Sequence, residues 1–131
     1  MIVVDTSALV AIILKEAGAI SCGHVLRDSD DLLISAGTLA EAMIVASGRG
    51  VRSEMEQLIS GNALQVMDVT PLRAQLVADA YRRWGRGFHR ASLNFGDCFA
   101  YALAVERNCP LLYVGNDFTQ TDIVPAIRPS D

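Results

Sequence analysis

Short, uniformly apolar runs alternate along the chain with longer stretches in which apolar residues recur every three or four positions. Four of the short runs predict strands: Ile2 to Val4, Leu32 to Ser35, Leu64 to Val69 and Leu111 to Val114. Between them helical spacing is carried by four stripes: Ala8, Leu9, Ile12 and Ile13; Ile20, Val25 and Leu26; Leu39, Met43, Ile44 and Ala46; and Met55, Leu58 and Ile59. Pro71 is placed to open a further helix through Leu72, Leu76, Val77 and Tyr81. The segment from Phe99 to Val105 is apolar nearly all round, which predicts a central packed helix. Strands without an inside/outside alternation are covered on both faces, and strands that alternate with helices pair in parallel. The predicted architecture is therefore α/β, a three-layer α/β/α sandwich with a mostly parallel central sheet.

Composition narrows the class. A chain of 131 residues, half of them hydrophobic and a fifth charged, is expected to form one domain spanning 1–131. Its apolar stretches stop short of the ~20 residues a membrane span requires, and Asp5 interrupts the first one too early for a secretory signal, so a soluble, cytoplasmic protein is expected. Cys22, Cys98 and Cys109 are odd in number and lack C-x-x-C spacing, so they suggest neither a disulfide framework nor a zinc site. The net charge of −4 argues against a nonspecific coat for nucleic acid. The cations are unevenly spread, however. Lys15 is the only lysine, while four arginines, Arg82, Arg83, Arg86 and Arg90, fall in one stretch with Trp84, Phe88 and His89. Such a mixture suits paired phosphates and unstacked bases, although Trp84 reads better as a residue packed on the core.

The first strand ends at Asp5, followed by Thr6 and Ser7. A buried, unpaired carboxylate costs several kcal/mol, so Asp5 belongs at the strand's mouth, where ligands bind in a parallel sheet. Three other acids fall in comparable places: Glu41 early in the helix after the second strand, Asp97 at the start of the all-apolar helix, and Asp117 just past the fourth strand, with Asp122 five residues on. Each has a plainer reading. Thr38-x-x-Glu41 matches a capping box, Asp97 suits an N-cap, and Asn116-Asp117 is an ordinary turn pair. Asp5 is the hardest to explain as a cap, since Thr6 or Ser7 would serve. Taken together, converging carboxylates repel by about 1 kcal/mol per close pair in water and up to ~4 at a protein surface. No lysine or histidine stands beside the strand ends, so a divalent ion that prefers hard oxygen ligands, Mg²⁺ or Mn²⁺, is the simplest compensation. Phosphodiester hydrolysis is the chemistry such a site serves.

The quartet of Asp5 in V-V-D-T-S-A-L, Glu41 in T-L-A-E-A, Asp97 in L-N-F-G-D-C-F-A-Y-A-L-A and Asp117 in G-N-D-F-T-Q-T-D-I resembles the PIN-domain nucleases, in particular the VapC ribonuclease toxins of type II toxin–antitoxin pairs. The resemblance implies a compact sandwich in which Asp5, Glu41, Asp97 and Asp117 hold Mg²⁺ or Mn²⁺ for cleavage of single-stranded or loop RNA. It implies support from Thr6, with Asn116 and Asp122 as further contributors and Asp122 an alternative fourth acid. It also implies a homodimer, using the apolar helices Leu39 to Ala46 and Met55 to Ile59, and a VapB-like antitoxin whose arginine enters the acid cluster and restrains a growth-inhibiting toxin. The other reading is a catalytically idle PIN fold that binds RNA or a partner. A haloacid-dehalogenase-type phosphatase is disfavoured by Ser7 where a second aspartate is needed, and a receiver domain by the lack of a lysine after a late strand.

Overall fold

The computed structural model describes residues 1–128, so residues 129–131 of the expected domain lie outside the described residues. The elements follow in the order β1 (Ile2–Val4), α1 (Thr6–Leu14), α2 (Ala19–Asp28), β2 (Leu32–Ser35), α3 (Ala36–Gly48), α4 (Arg52–Gly61), β3 (Gln65–Met67), α5 (Pro71–Trp84), α6 (Phe95–Arg107) and β4 (Leu111–Leu112). The sheet order is β3-β2-β1-β4 and every pairing is parallel, with Ile2 beside Leu32, Val3 beside Leu111 and Leu33 beside Gln65. From β1 the chain moves outward through β2 to β3, then returns across the sheet to β4. Its direction thus reverses between β1 and β4, and the crevice of a parallel sheet opens at such a reversal.

Successive strand residues serve opposite layers, as a period of two requires. Val3, Leu33 and Leu111 pack with Val77 and Ala80 of α5 and with Tyr101 and Leu103 of α6. Val4, Leu32, Ile34 and Leu112 pack instead with Leu9, Leu26, Ala42 and Met55 from α1 to α4. This is the expected three-layer sandwich. Helix α6 is the central packed helix, burying Asp97, Cys98 and every residue from Ala100 to Ala104. Its approach to α3 depends on Gly37, because a Cβ there would lie 2.3 Å from the Phe99 ring.

Two strands are shorter than the sequence suggests. β3 is an open edge with Gln65 and Val66 exposed, and Asp68, just beyond it, gives its carbonyl to Arg73. β4 ends early because the Val114 amide donates to Ser7 Oγ at 3.0 Å and leaves the ladder. On the outer side of β4 the chain adds something unanticipated: Leu111 N–H donates to Val124 and Ala126 N–H donates to Leu111, a single parallel bridge centred on Pro125. Proline, having no N–H to offer, suits a sheet edge. Ile20, Ile44 and Leu72 lie on apolar stripes yet are exposed, since smaller neighbours such as Cys22, Ala42 and Ala46 take the core positions. Met55 and Ile59 are buried, which leaves α3 rather than α4 with apolar surface to share. Among the described residues no single helix is long and apolar enough to cross a membrane.

Candidate active site

Asp5 resolves into two functions, one for each oxygen. It is the N-cap of α1: Oδ2 accepts the Ser7 N–H at 3.0 Å and the Ser7 hydroxyl at 2.6 Å. Ser7 Oγ in turn accepts the Val114 N–H, so one hydroxyl ties the acid to the mouth of β4. Oδ1 is buried without a hydrogen-bond donor, on a residue only 3% exposed. Burial, opposed by the Ser7 bonds and reinforced by Asp97 and Glu41, pushes the carboxyl up to about 7.

Asp97 repeats the pattern. Asn94, not Asp97, is the N-cap of α6, and the two form a capping box: Asn94 Oδ1 accepts the Asp97 N–H at 2.8 Å and Asp97 Oδ2 accepts the Asn94 N–H at 3.0 Å. The side chain is nevertheless buried beside Glu41 and Asp117. Burial is the main cause that lifts its pKa to about 6, with the Asn94 bond and Arg86 pulling the other way. Capping and membership of an acid cluster therefore coexist at both residues, where they first read as alternatives.

Glu41 departs from its plainer reading. Ser35 caps α3 by accepting the Gly37 N–H, which places Thr38 and Glu41 too far into the helix for a capping box. Glu41 Oε1 instead accepts the Thr6 hydroxyl of α1 at 2.6 Å. A Cβ at Gly96 would fall 1.9 Å from Glu41 Oε2. Any side chain at that position would displace the acid. Ser7 and Gly96 were not anticipated from sequence, although a glycine inside a helix is disfavoured against alanine and so is itself a signal.

Asp117 is exposed on the loop after β4 and acts on Asp97 through its charge. Asp122 does not join them; its Oδ1 accepts the Tyr101 hydroxyl at 2.6 Å and its Oδ2 lies 3.6 Å from Arg83. That corrects the expectation that Asp122 contributes to the acid cluster. Asn116 closes the loop's turn, its carbonyl accepting the Thr119 N–H and hydroxyl. Of the four clustered arginines, Arg82 is paired with Asp79, and Arg83 lies over the Trp84 ring as well as beside Asp122. Arg86 is the one whose charge reaches Asp97, and Arg90 is exposed on the same loop. Trp84 packs as expected, donating its Nε1–H to Tyr101 at 2.8 Å. His89 is occupied in the loop, with Nδ1 accepting the Ala91 N–H and its ring against Trp84.

A divalent cation fits this donor set. The buried Asp5 Oδ1 lacks a donor, and hard carboxylate oxygens are what Mg²⁺ and Mn²⁺ prefer. Among the described residues no group of three or more acidic, histidine or cysteine side chains could hold a metal ion as placed. Mg²⁺ requires no such group, because it keeps several waters and meets a protein through one or two carboxylates.

Residues 2–124 match the family model of the PIN domain. The chain belongs to the PIN domain family. Its relatives place it among the VapC ribonucleases of that family: it is 42% identical over 125 residues to Ribonuclease VapC36 of Mycobacterium tuberculosis, covering 92% of this chain and 90% of that one. Among solved structures, M. tuberculosis VapC20, titled a sarcin-ricin loop cleaving toxin, matches with a TM-score of 0.76 at 19% identity, covering 98% of this chain and all of that one. VapBC2 from Rickettsia felis, solved on a DNA fragment from its promoter, matches at 0.68 and 16% identity over 95% of this chain and 96% of that one. At those identities the solved structures bear on the fold alone, and they agree with the sandwich described above.

Two outcomes are expected from the PIN-domain site. Above about pH 4 the unfolded chain has released the protons of Asp5 and Asp97, whose ordinary value is 3.8, while the folded chain keeps them until about 7 and about 6. Metal-free stability should therefore fall as pH rises from about 4 to about 7, by up to roughly 1.4 kcal/mol per pH unit for each group still protonated. Thermal melts in a chelator across that range should show the decline, and Asp5→Asn should flatten it; equal profiles for both proteins would contradict the assignment. Gly96→Ala should lower nuclease turnover roughly 10–100-fold by misplacing Glu41. An unchanged rate in single-turnover assays would mean that Glu41's position is immaterial.

Proposed function

We propose that this chain is a Mg²⁺- or Mn²⁺-dependent endoribonuclease that cuts single-stranded or loop RNA, and that it serves as the toxin of a type II toxin–antitoxin pair, inhibiting translation and growth. The observation that carries the reading is the buried, donorless Oδ1 of Asp5 in a cluster with Asp97 and Glu41. Asp5 and Asp97 would hold the ion, with Glu41 and Asp117 flanking it. When bound, the ion supplies Lewis-acid activation of water and phosphate and offsets the repulsion among the acids.

The chain's own residues do the rest. Ser7 fixes Asp5 by holding Oδ2, which keeps Oδ1 aimed away from the cap. Thr6 fixes Glu41 by one oxygen, and Gly96 leaves room for the other. Arg82, Arg83, Arg86 and Arg90 pair with phosphates of the substrate, the exposed pairs of Arg82 with Asp79 and Arg83 with Asp122 being weak enough to open for it. A binding stretch so rich in arginine weakens with added salt.

A toxin–antitoxin complex from Klebsiella pneumoniae shares the fold, and the same kind of partner suits this chain. A cation from a VapB-like antitoxin entering the acid cluster would satisfy the same electrostatic demand as the metal. Homodimerisation through α3 is in keeping with Ile44, which is 73% exposed there.

Purified protein, free of any antitoxin, should cut structured RNAs in Mg²⁺ or Mn²⁺ and stop on chelation. Asp97→Asn should lose roughly a hundredfold or more, at or beyond the upper end of what losing outer-shell support of a metal costs. Equal cleavage by both proteins would overturn the catalytic assignment, and intact RNA bound by the wild type would favour the idle fold.

A further inference from the structure

Tyr101, one turn after Asp97 on α6, donates its hydroxyl to Asp122 Oδ1 at 2.6 Å and accepts the Trp84 Nε1–H at 2.8 Å. Arg83 lies on the other oxygen of Asp122 and over the Trp84 ring. The network joins three segments, each of which carries a member of the site: α6 with Asp97, the loop after β4 with Asp117, and the end of α5 that leads into Arg86. Near Asp117 the loop makes few other hydrogen bonds. Phe118 is buried against Tyr113, and the remaining bonds are local ones among Asn116, Phe118, Thr119 and Thr121. Phe118 and Ile123 pack in the same core as α6, and among the described residues the Asp122 bond is the one side-chain hydrogen bond that joins this loop to α6. Burial, followed by the neighbouring Asp122 carboxylate, pushes the Tyr101 phenol up to about 12, so it remains a donor.

We propose that the Tyr101–Asp122 hydrogen bond is the positioning device that sets Asp117 against Asp97, and that Asp122 acts through Tyr101 rather than on the metal. This rests on the metal-site reading above. A single helix then fixes both acids: Asp97 directly in its first turn, and Asp117 through the loop clamped one turn later. Removing the hydroxyl leaves the Tyr101 ring and Phe118 in the core but unties Asp122 from α6, so the cost falls on metal affinity more than on the fold. Outer-shell partners that orient ligands typically account for 10–100-fold in metal affinity.

The test is Mn²⁺ binding to the purified chain by titration calorimetry, with melting temperature alongside. Tyr101→Phe and Asp122→Ala should each weaken Mn²⁺ about tenfold. Asp122→Asn, which keeps an acceptor for Tyr101, should stay near the wild type. Trp84→Phe should lower the melting temperature but keep wild-type affinity, because the Tyr101–Asp122 bond survives it. In an Asp117→Ala background Tyr101→Phe should weaken Mn²⁺ no further, since a residue acting through Asp117 has nothing left to act on. Unchanged affinity in Tyr101→Phe, with the wild type binding normally, would overturn the positioning role alone. A wild type that binds no Mn²⁺ would overturn the metal site itself.

Discussion

A carboxylate that caps a helix with one oxygen has a second oxygen to spare, and this PIN domain is organised around that division. The parallel sheet sends β1 into α1 and β2 into α3, so helix N-termini collect along one edge. Asp5 caps α1 and Asp97 completes the capping box of α6, each through Oδ2. Backbone N–H groups and the positive end of a helix favour a negative side chain there by roughly 0.3–1 kcal/mol. The same bonds lock each rotamer. The fold thereby fixes the direction of the remaining oxygen before any ligand arrives.

Burial sets the electrostatic terms. Asp5 and Asp97 are 3% and 6% exposed, and desolvation leads the causes that lift both pKa values. The metal-free site is consequently a reservoir of unfavourable charge near neutral pH, which a dication or a partner's cation relieves. The arginines divide along the same line. Arg82 and Arg83 meet Asp79 and Asp122 in exposed pairs, whereas the charge of Arg86 reaches Asp97.

Much of this was legible in the chain itself. Uniformly apolar strands signalled a sheet covered on both faces, and the all-apolar stretch after Asp97 signalled the packed helix α6. That Asp5, Glu41, Asp97 and Asp117 come within reach of one another's charge was legible because strand ends and helix starts share one edge in any parallel sheet. Other features depend on contacts between distant segments and leave no local trace. Glu41 looked like half of a capping box because Thr38 precedes it at the right spacing, but Ser35 starts the helix earlier and Thr6, 35 positions away, takes the carboxylate. Asp122 looked equivalent to Asp117 by proximity, but its carboxylate is taken by the Tyr101 hydroxyl. The Val124–Ala126 edge beside Leu111 escaped notice because a proline within an apolar run argues against a strand.

The division of labour within Asp5 is the claim on which the rest stands, and anomalous diffraction from crystals soaked in Mn²⁺ addresses it directly. The expected result is Mn²⁺ at ligand distance from Asp5 Oδ1, while Ser7 still donates both of its hydrogen bonds to Oδ2. Manganese bound through Oδ2 with Ser7 displaced, or bound away from Asp5 and Asp97 altogether, would contradict it.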